Sequence, residues 1–223
     1  MNAPGRPRGR AALALGLLAV LPYLNGLTAD FTFDDKVIVR DNPRLASPRR
    51  VGEVFNSHYS GGPLSTAKNF RPVVLLTYAV QRWTTGTDPF PFHVVNVLLH
   101  AATTLALAAW LLGLGMPRGP SLAAAALFAV VPIHVEAVTG IVGRAELLSA
   151  LLVLLAAILF QRATDGTPLR ALPYAGALAA FLLALFTKET AVVLPGVVVL
   201  GELLRRDVPG ALVPRLRRKT LPA

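Results

Sequence analysis

Apolar residues collect along the chain into six runs, at 11–27, 94–114, 121–131, 147–160, 171–186 and 191–204. A helix needs about 20 residues to cross a hydrocarbon core of about 30 Å, with about 17 as the lower limit. The runs at 121–131 and 147–160 therefore span only if flanking polar residues sit at the interface. The pattern predicts an all-α membrane protein, a bundle of five or six transmembrane helices. Most of the polar chain lies between the first two runs, where Asn42-Pro43, Gly61-Gly62-Pro63 and Asp88-Pro89 mark turns. Within it, 71–83 is apolar on one side and flanked by Arg82 and Trp83, which predicts an interfacial or re-entrant helix. The organisation read from the pattern is 1–27 as cytoplasmic N-terminus and first span, and 28–91 as a long extracytoplasmic loop. A transmembrane bundle follows at 92–206 and a cytoplasmic tail at 207–223.

Composition supports this picture. The 223 residues are 54% hydrophobic and only 15% charged, with a mean hydropathy of +0.57, too apolar for an ordinary soluble domain. Cysteine is absent, which removes disulfides and thiolate metal sites. The net charge of +10 would suggest nucleic acid in a soluble protein. Here much of it flanks apolar segments, where arginine anchors helix ends, so nucleic-acid binding is discounted. Arg6, Arg8 and Arg10 ahead of the first run, with Ala29 after it, also fit a secretory signal. The later spans favour an uncleaved anchor.

With the N-terminus inside, the inner connections carry Arg118, then Arg162 and Arg170, then Arg205, Arg206 and the basic tail at 215–219. The short outer turns carry only Arg144 and Lys188. That asymmetry obeys the positive-inside rule and places both termini in the cytoplasm. Richness in Ala, Leu, Arg and Gly suggests a bacterial cytoplasmic membrane with the active face outward.

The chemistry-bearing residues then sort to the outer side. Asp34 and Asp35 follow the first span. Adjacent carboxylates repel, and one with a raised pKa can serve as a general base, although a solvated acidic turn or helix N-cap would also place two acids there. His134, Glu136, Arg144 and Glu146 cluster between two apolar runs, with Gly140 and Gly143 allowing a tight turn. Arginine can bind phosphate in two-point geometry and His or Glu can move a proton, while an ion pair of Arg144 with Glu136 or Glu146 is the structural alternative. His134-x-Glu136 matches part of the zinc deaminase signature, but the missing cysteines exclude that reading. Lys188 is a second candidate phosphate contact or a snorkelling lysine, and Glu189 beside it points to a different partner. His93, Asn96 and His100 fall on one helical stripe, which favours a hydrogen-bonded seam over a metal site. No Walker, dinucleotide, HExxH or GxSxG fingerprint is present.

Taken in order, several motifs resemble the N-terminal membrane region of the transmembrane and tetratricopeptide-repeat O-mannosyltransferases and their bacterial relatives. They are Phe-Thr-Phe-Asp-Asp-Lys at 31–36 with Asn42, Lys-Asn-Phe-Arg-Pro at 68–72, and Pro-Phe-His-Val-Val-Asn-Val-Leu-Leu-His at 91–100. Pro-Ile-His-Val-Glu-Ala-Val at 132–138, Gly-Arg-Ala-Glu at 143–146 and Lys188-Glu189 complete the set. The resemblance implies a GT-C glycosyltransferase fold that takes a sugar from a polyprenyl-phosphate donor on the non-cytoplasmic face; no other cofactor and no metal need be invoked, although an acidic pair could bind one. It implies that Asp34 and Asp35 are catalytic, and that His134, Glu136, Arg144, Glu146, Lys188 and Glu189 line the donor-phosphate and substrate cavity. Expected partners are membrane lipid, a lipid-linked sugar and a protein acceptor. Family members continue into further spans and helical repeats of about 34 residues. None follows Ala223, so the chain is expected to be a fragment, a truncated frame or a subunit needing partners. The competing readings are a non-catalytic subunit that binds lipid-linked sugar or another protein, and a small transporter using His93 and His100 as a proton relay. The apolar inner halves of the spans disfavour the transporter.

Overall fold

The computed structural model describes residues 9–56, 58–59, 69–165 and 168–204, and every regular element in them is helical. The calls on Arg6, Arg8, Gly61-Gly62-Pro63, Lys68, Arg205, Arg206 and the tail lie outside the described residues. The helices are α1 (Gly9–Val20), α2 (Val51–Val54), α3 (Pro72–Thr85), α4 (Pro89–Gly113), α5 (Arg118–Val130), α6 (Val135–Thr139), α7 (Arg144–Thr164), α8 (Ala171–Thr187) and α9 (Leu194–Leu204). Short 3-10 turns extend several of them, so that α1 continues without a break to Thr28.

Among the described residues, three helical stretches are long and apolar enough to cross a membrane: Gly9–Thr28, Pro89–Gly113 and Ile141–Thr164. A fourth counts if α5 and the bent Pro132–Thr139 segment form one span. This is fewer than the five or six expected. The run at 147–160 grows into a full span because Ile141, Val142 and the polar Arg144–Glu146 turn join its start. The run at 121–131 breaks instead. Pro132 offers no N–H and forces Val131 into extended backbone (φ −65°, ψ 129°), and the chain bends by 49°. With 17 residues α8 stands at the lower limit for a span, and α9 has 11.

α4 is the central element and packs on α1, α5 and α7, while α7 packs most extensively on α8. Small residues let these helices approach: Ala19, Ala101 and Ala129 meet where α1, α4 and α5 converge, and Ala156, Ala157 and Ala180 between α7 and α8.

The polar loop is a packed structure with its own apolar core. Phe31, Ile38, Val39, Leu45 and Val54 from the loop bury against Val74, Leu75, Tyr78 and Ala79 of α3, with Phe92 and Ile141 closing the cluster from the bundle. Arg82 and Trp83, expected as interfacial anchors, turn to the loop instead. Arg82 Nη1 donates to the carbonyls of Val39 (3.2 Å) and Asn42 (2.7 Å), and Trp83 Nε1 to Leu45 (3.0 Å). Their hydrogen bonds to main-chain carbonyls fix the loop on α3. Asn42 caps the next turn by accepting from Arg44 N–H and donates to the carbonyl of Ile38.

Candidate active site

The loop's first turn carries the acidic pair, and the fold separates its two members. Asp35 is 2% exposed. Its Oδ2 accepts from the N–H and the Oγ1 of Thr32, both at 3.2 Å, and its Oδ1 accepts from the N–H of Val142 at 2.8 Å. Three donors fill most of what a carboxylate can accept in one place. Asp34 faces the open side. The turn is tight enough to drive Phe33 to φ +38°, a conformation that a non-glycine residue adopts only when its surroundings hold it there. The Phe33 side chain is 91% exposed as a result.

Both carboxylates line a cavity of about 520 Å³. Its other walls include Tyr59 and Arg71 from the loop, Glu136 from α6, Gly140, Val142 and Gly143 from the turn before α7, and Glu146 from α7. Gly143 is needed there, since a Cβ would fall on the main chain of Ala137. Burial pushes the Tyr59 phenol up to about 12, so this hydroxyl stays neutral.

The remaining predicted residues divide. Glu136 and Glu146 line the cavity; His134, Lys188 and Glu189 do not. His134 turns inward, its ring 4.4 Å from that of Phe128 and 5.4 Å from that of His100, with Nε2 buried and unpartnered. Lys188 pairs with Glu146, and Glu189 with Arg71, whose Nη2 and Nε donate to its carboxylate at 2.6 and 3.1 Å. Hydrogen bonds from Arg71 hold the Glu189 carboxyl down at about 2.

Arg144 is the clearest correction. It is 1% exposed and lies outside the cavity, on neutral groups only. Nε donates to Asn96 Oδ1 (3.1 Å), Nη2 to the carbonyl of Phe92 (3.2 Å), and Nη1 makes a long contact to Thr77 Oγ1 (3.5 Å). Its guanidinium stacks over Tyr78 and Phe92, 4.6 and 5.5 Å from the ring centroids. The alternative reading, an ion pair of Arg144 with Glu136 or Glu146, is not formed either. Asn96 also donates to the carbonyls of Gly140 (2.8 Å) and Ile141 (3.2 Å), tying the turn to α4. The other members of that stripe are buried too: His93 Nε2 meets the carbonyl of Ala29 and His100 Nε2 that of Ala129.

Arg71 and Tyr59 are cavity residues to which the sequence reading gave no role, although Arg71 falls within the motif at 68–72. Arg71 stacks over the Tyr59 ring at 5.0 Å. A signal existed for Arg71: it directly precedes Pro72 at the start of a helix, where the dipole disfavours a cation. An arginine kept there has a partner elsewhere. For Tyr59, sequence spacing offered none.

No protein-family model matches the chain, and no solved structure does. Among curated proteins it is 36% identical to protein O-mannosyl-transferase TMTC1 of Homo sapiens, over 94% of this chain and 26% of that protein. It is 36% identical to protein O-mannosyl-transferase Tmtc1 of Drosophila melanogaster, over 78% of this chain and 20% of that protein. With protein O-mannosyl-transferase TMTC4 of Homo sapiens the identity is 35%, over 65% of this chain and 22% of that protein. The chain thus spans about a quarter of the length of the first of these relatives.

Proposed function

Given that the chain belongs to the transmembrane and tetratricopeptide-repeat O-mannosyltransferase family, we propose that it forms the catalytic face of a GT-C membrane glycosyltransferase. In this reading it moves a sugar, mannose by analogy with the names of its relatives, from a polyprenyl-phosphate donor to a protein hydroxyl. The reaction takes place on the outer side of a bacterial cytoplasmic membrane, with both termini inside.

The observation that carries the reading is the division of labour within the acidic pair. Asp35 is clamped by three donors, and Asp34 faces the cavity beside it. A general base must reach the proton it removes, which an exposed carboxylate on a fixed turn can do. The acceptor oxygen attacks the anomeric carbon, its proton passes to Asp34, and the bond from that carbon to the phosphate oxygen breaks with its electron pair leaving on the polyprenyl phosphate. Arg71 is the cavity's guanidinium and stabilises that departing charge once Glu189 yields it.

The test is transfer of lipid-linked sugar in membranes by Asp34→Asn and Asp35→Asn, each separately. Asp34→Asn is expected to lower the rate by about 100- to 10,000-fold, the usual contribution of a positioned base. Undiminished transfer in both variants sinks the catalytic reading and leaves a subunit that only binds.

A further inference from the structure

The turn that carries the acidic pair holds two phenylalanines, two residues apart, in opposite surroundings. Phe31 is buried, its ring 5.7 Å from that of Phe92, whereas Phe33 is exposed and lines the cavity beside Asp34. We propose that Phe33 is a specificity residue on the acceptor side, a platform for a large apolar side chain next to the residue that bears the acceptor hydroxyl. The acceptor class is then a peptide whose serine or threonine has an apolar neighbour.

The backbone holds Phe33 outward. The N–H of Asp35 donates to the carbonyl of Thr32 at 2.8 Å and that of Lys36 to the carbonyl of Phe33 at 3.2 Å, while the Asp35 carboxylate closes the turn on Thr32. These bonds keep φ at +38°, where glycine or asparagine would sit with less strain. An aromatic side chain there adds exposed apolar surface to backbone strain, and an apolar partner for the ring offsets that exposure. A second such group stands at the same cavity. Ile133, in the turn Pro132–His134, is 79% exposed and lines it together with Glu136. Phe33 and Ile133 are the two exposed large apolar residues in this lining.

Charge and position select the occupant. The same lining carries Asp34, Glu136, Glu146 and Arg71, which the acyl chains of a bilayer would strip of water at high cost. In a single displacement at the anomeric carbon, the attacking oxygen enters on the face opposite the departing group. The transferase reading puts the base at Asp34 and the departing phosphate at Arg71, so Phe33, the residue bonded to Asp34, lies on the acceptor's side. An extended peptide rises about 3.3–3.4 Å per residue, close to the spacing of consecutive residues in the turn. A peptide hydroxyl at Asp34 thus brings a neighbouring side chain to Phe33. This step rests on the transferase reading, whereas the outward ring and its place at the cavity do not.

The test uses the whole chain in phosphatidylcholine nanodiscs and two fluorescein-labelled peptides, Gly-Ala-Thr-Leu-Ala-Gly and Gly-Ala-Thr-Asn-Ala-Gly, with binding read by fluorescence anisotropy. Leucine and asparagine are similar in shape and opposite in polarity. The leucine peptide is expected to bind at least about tenfold more tightly, the effect of burying one apolar side chain. Phe33→Asn removes the ring and leaves a residue that tolerates positive φ, and it should reduce the ratio to about twofold or less. Phe33→Tyr should preserve the preference. The chain has no cysteine, so Phe33→Cys takes a single bimane label, whose emission in the peptide-free nanodisc is expected to be that of a water-exposed dye. Absent or equal binding of the two peptides, a preference unchanged in Phe33→Asn, or the emission of a lipid-buried dye would overturn the proposal. Sugar transfer that survives in Asp34→Asn alongside a preference that depends on Phe33 would sink only the catalytic reading.

Discussion

The main-chain N–H of Val142 donates to Oδ1 of Asp35 at 2.8 Å, joining positions 107 apart in sequence. This bond ties the loop after the first span to the turn that begins α7, and it fixes the buried Asp35 carboxylate while Asp34 beside it stays exposed. Asp35→Asn is close in shape but turns one acceptor into an NH₂ group facing existing donors. It is expected to cost about 1–3 kcal/mol of stability, the usual penalty for an unsatisfied buried group. Asp34→Asn should leave stability within about 0.5 kcal/mol, as for other exposed positions. Thermal unfolding of both variants in detergent checks the contrast.

Asn96 is fully buried and serves Gly140, Ile141 and Arg144 together. Asn96→Leu keeps the branching of the side chain and removes all three bonds; the carbonyls of Gly140 and Ile141 keep donors in Gly143 N–H and the Tyr78 hydroxyl, so Arg144 Nε is the group left short. A loss of about 1–3 kcal/mol is expected, the usual cost of one stranded buried group. A larger drop in unfolding midpoint than for His93→Leu, whose ring makes one recorded hydrogen bond, would bear this out.

Glycine substitutions should have opposite signs at two sites. At Gly143 a Cβ would lie 2.6 Å from Ala137 Cα, so Gly143→Ala forces main chain apart and should cost about 1–3 kcal/mol. At Gly16, in the middle of α1, a Cβ meets nothing within 4 Å. Gly16→Ala should stabilise by about 0.5–1 kcal/mol through helix propensity. Unfolding midpoints of the two single variants settle the comparison.

The Arg71–Glu189 pair gives a pH dependence of definite sign. The folded-state pKa of Glu189 is depressed from 4.5 to about 2 by its bonds from Arg71. Its contribution to stability is therefore fully present above about pH 4.5 and is lost as pH falls towards 2. Solvent screens the pair, since the Glu189 side chain is 59% exposed, so the effect is small. Glu189→Gln should lower the unfolding midpoint relative to wild type at pH 6, and the gap should close by pH 2 to 2.5. A gap that stays constant with pH would show that the pair is not the cause.

Helical class, the central span at Pro89–Gly113 and the gathering of acidic residues at one end are all legible in the apolar runs and their breaks. Other features depend on which way a side chain turns after the backbone is placed. Arg144 and Glu146 are two residues apart, yet one enters the core and the other the cavity, a difference of about 200° around a helix. His134 sits on the bend made by Pro132, so no helical periodicity predicts its direction. Arg82 and Trp83 look like interfacial anchors because the loop they grip has no apolar periodicity of its own. Its buried residues, Phe31, Ile38, Val39, Leu45 and Val54, become a core only through long-range contact with α3. The count of spans falls short of the apolar runs because Pro132 bends one of them and α8 and α9 have only 17 and 11 residues.

The amide that holds Asp35 belongs to the residue two places before α7, a helix that runs on through 21 residues. A span responds to bilayer thickness by tilting. When α7 tilts, Val142 moves with it and carries the carboxylate along. A bilayer that set a different tilt for α7 would thereby be felt at Asp35 through a single amide, without any ligand.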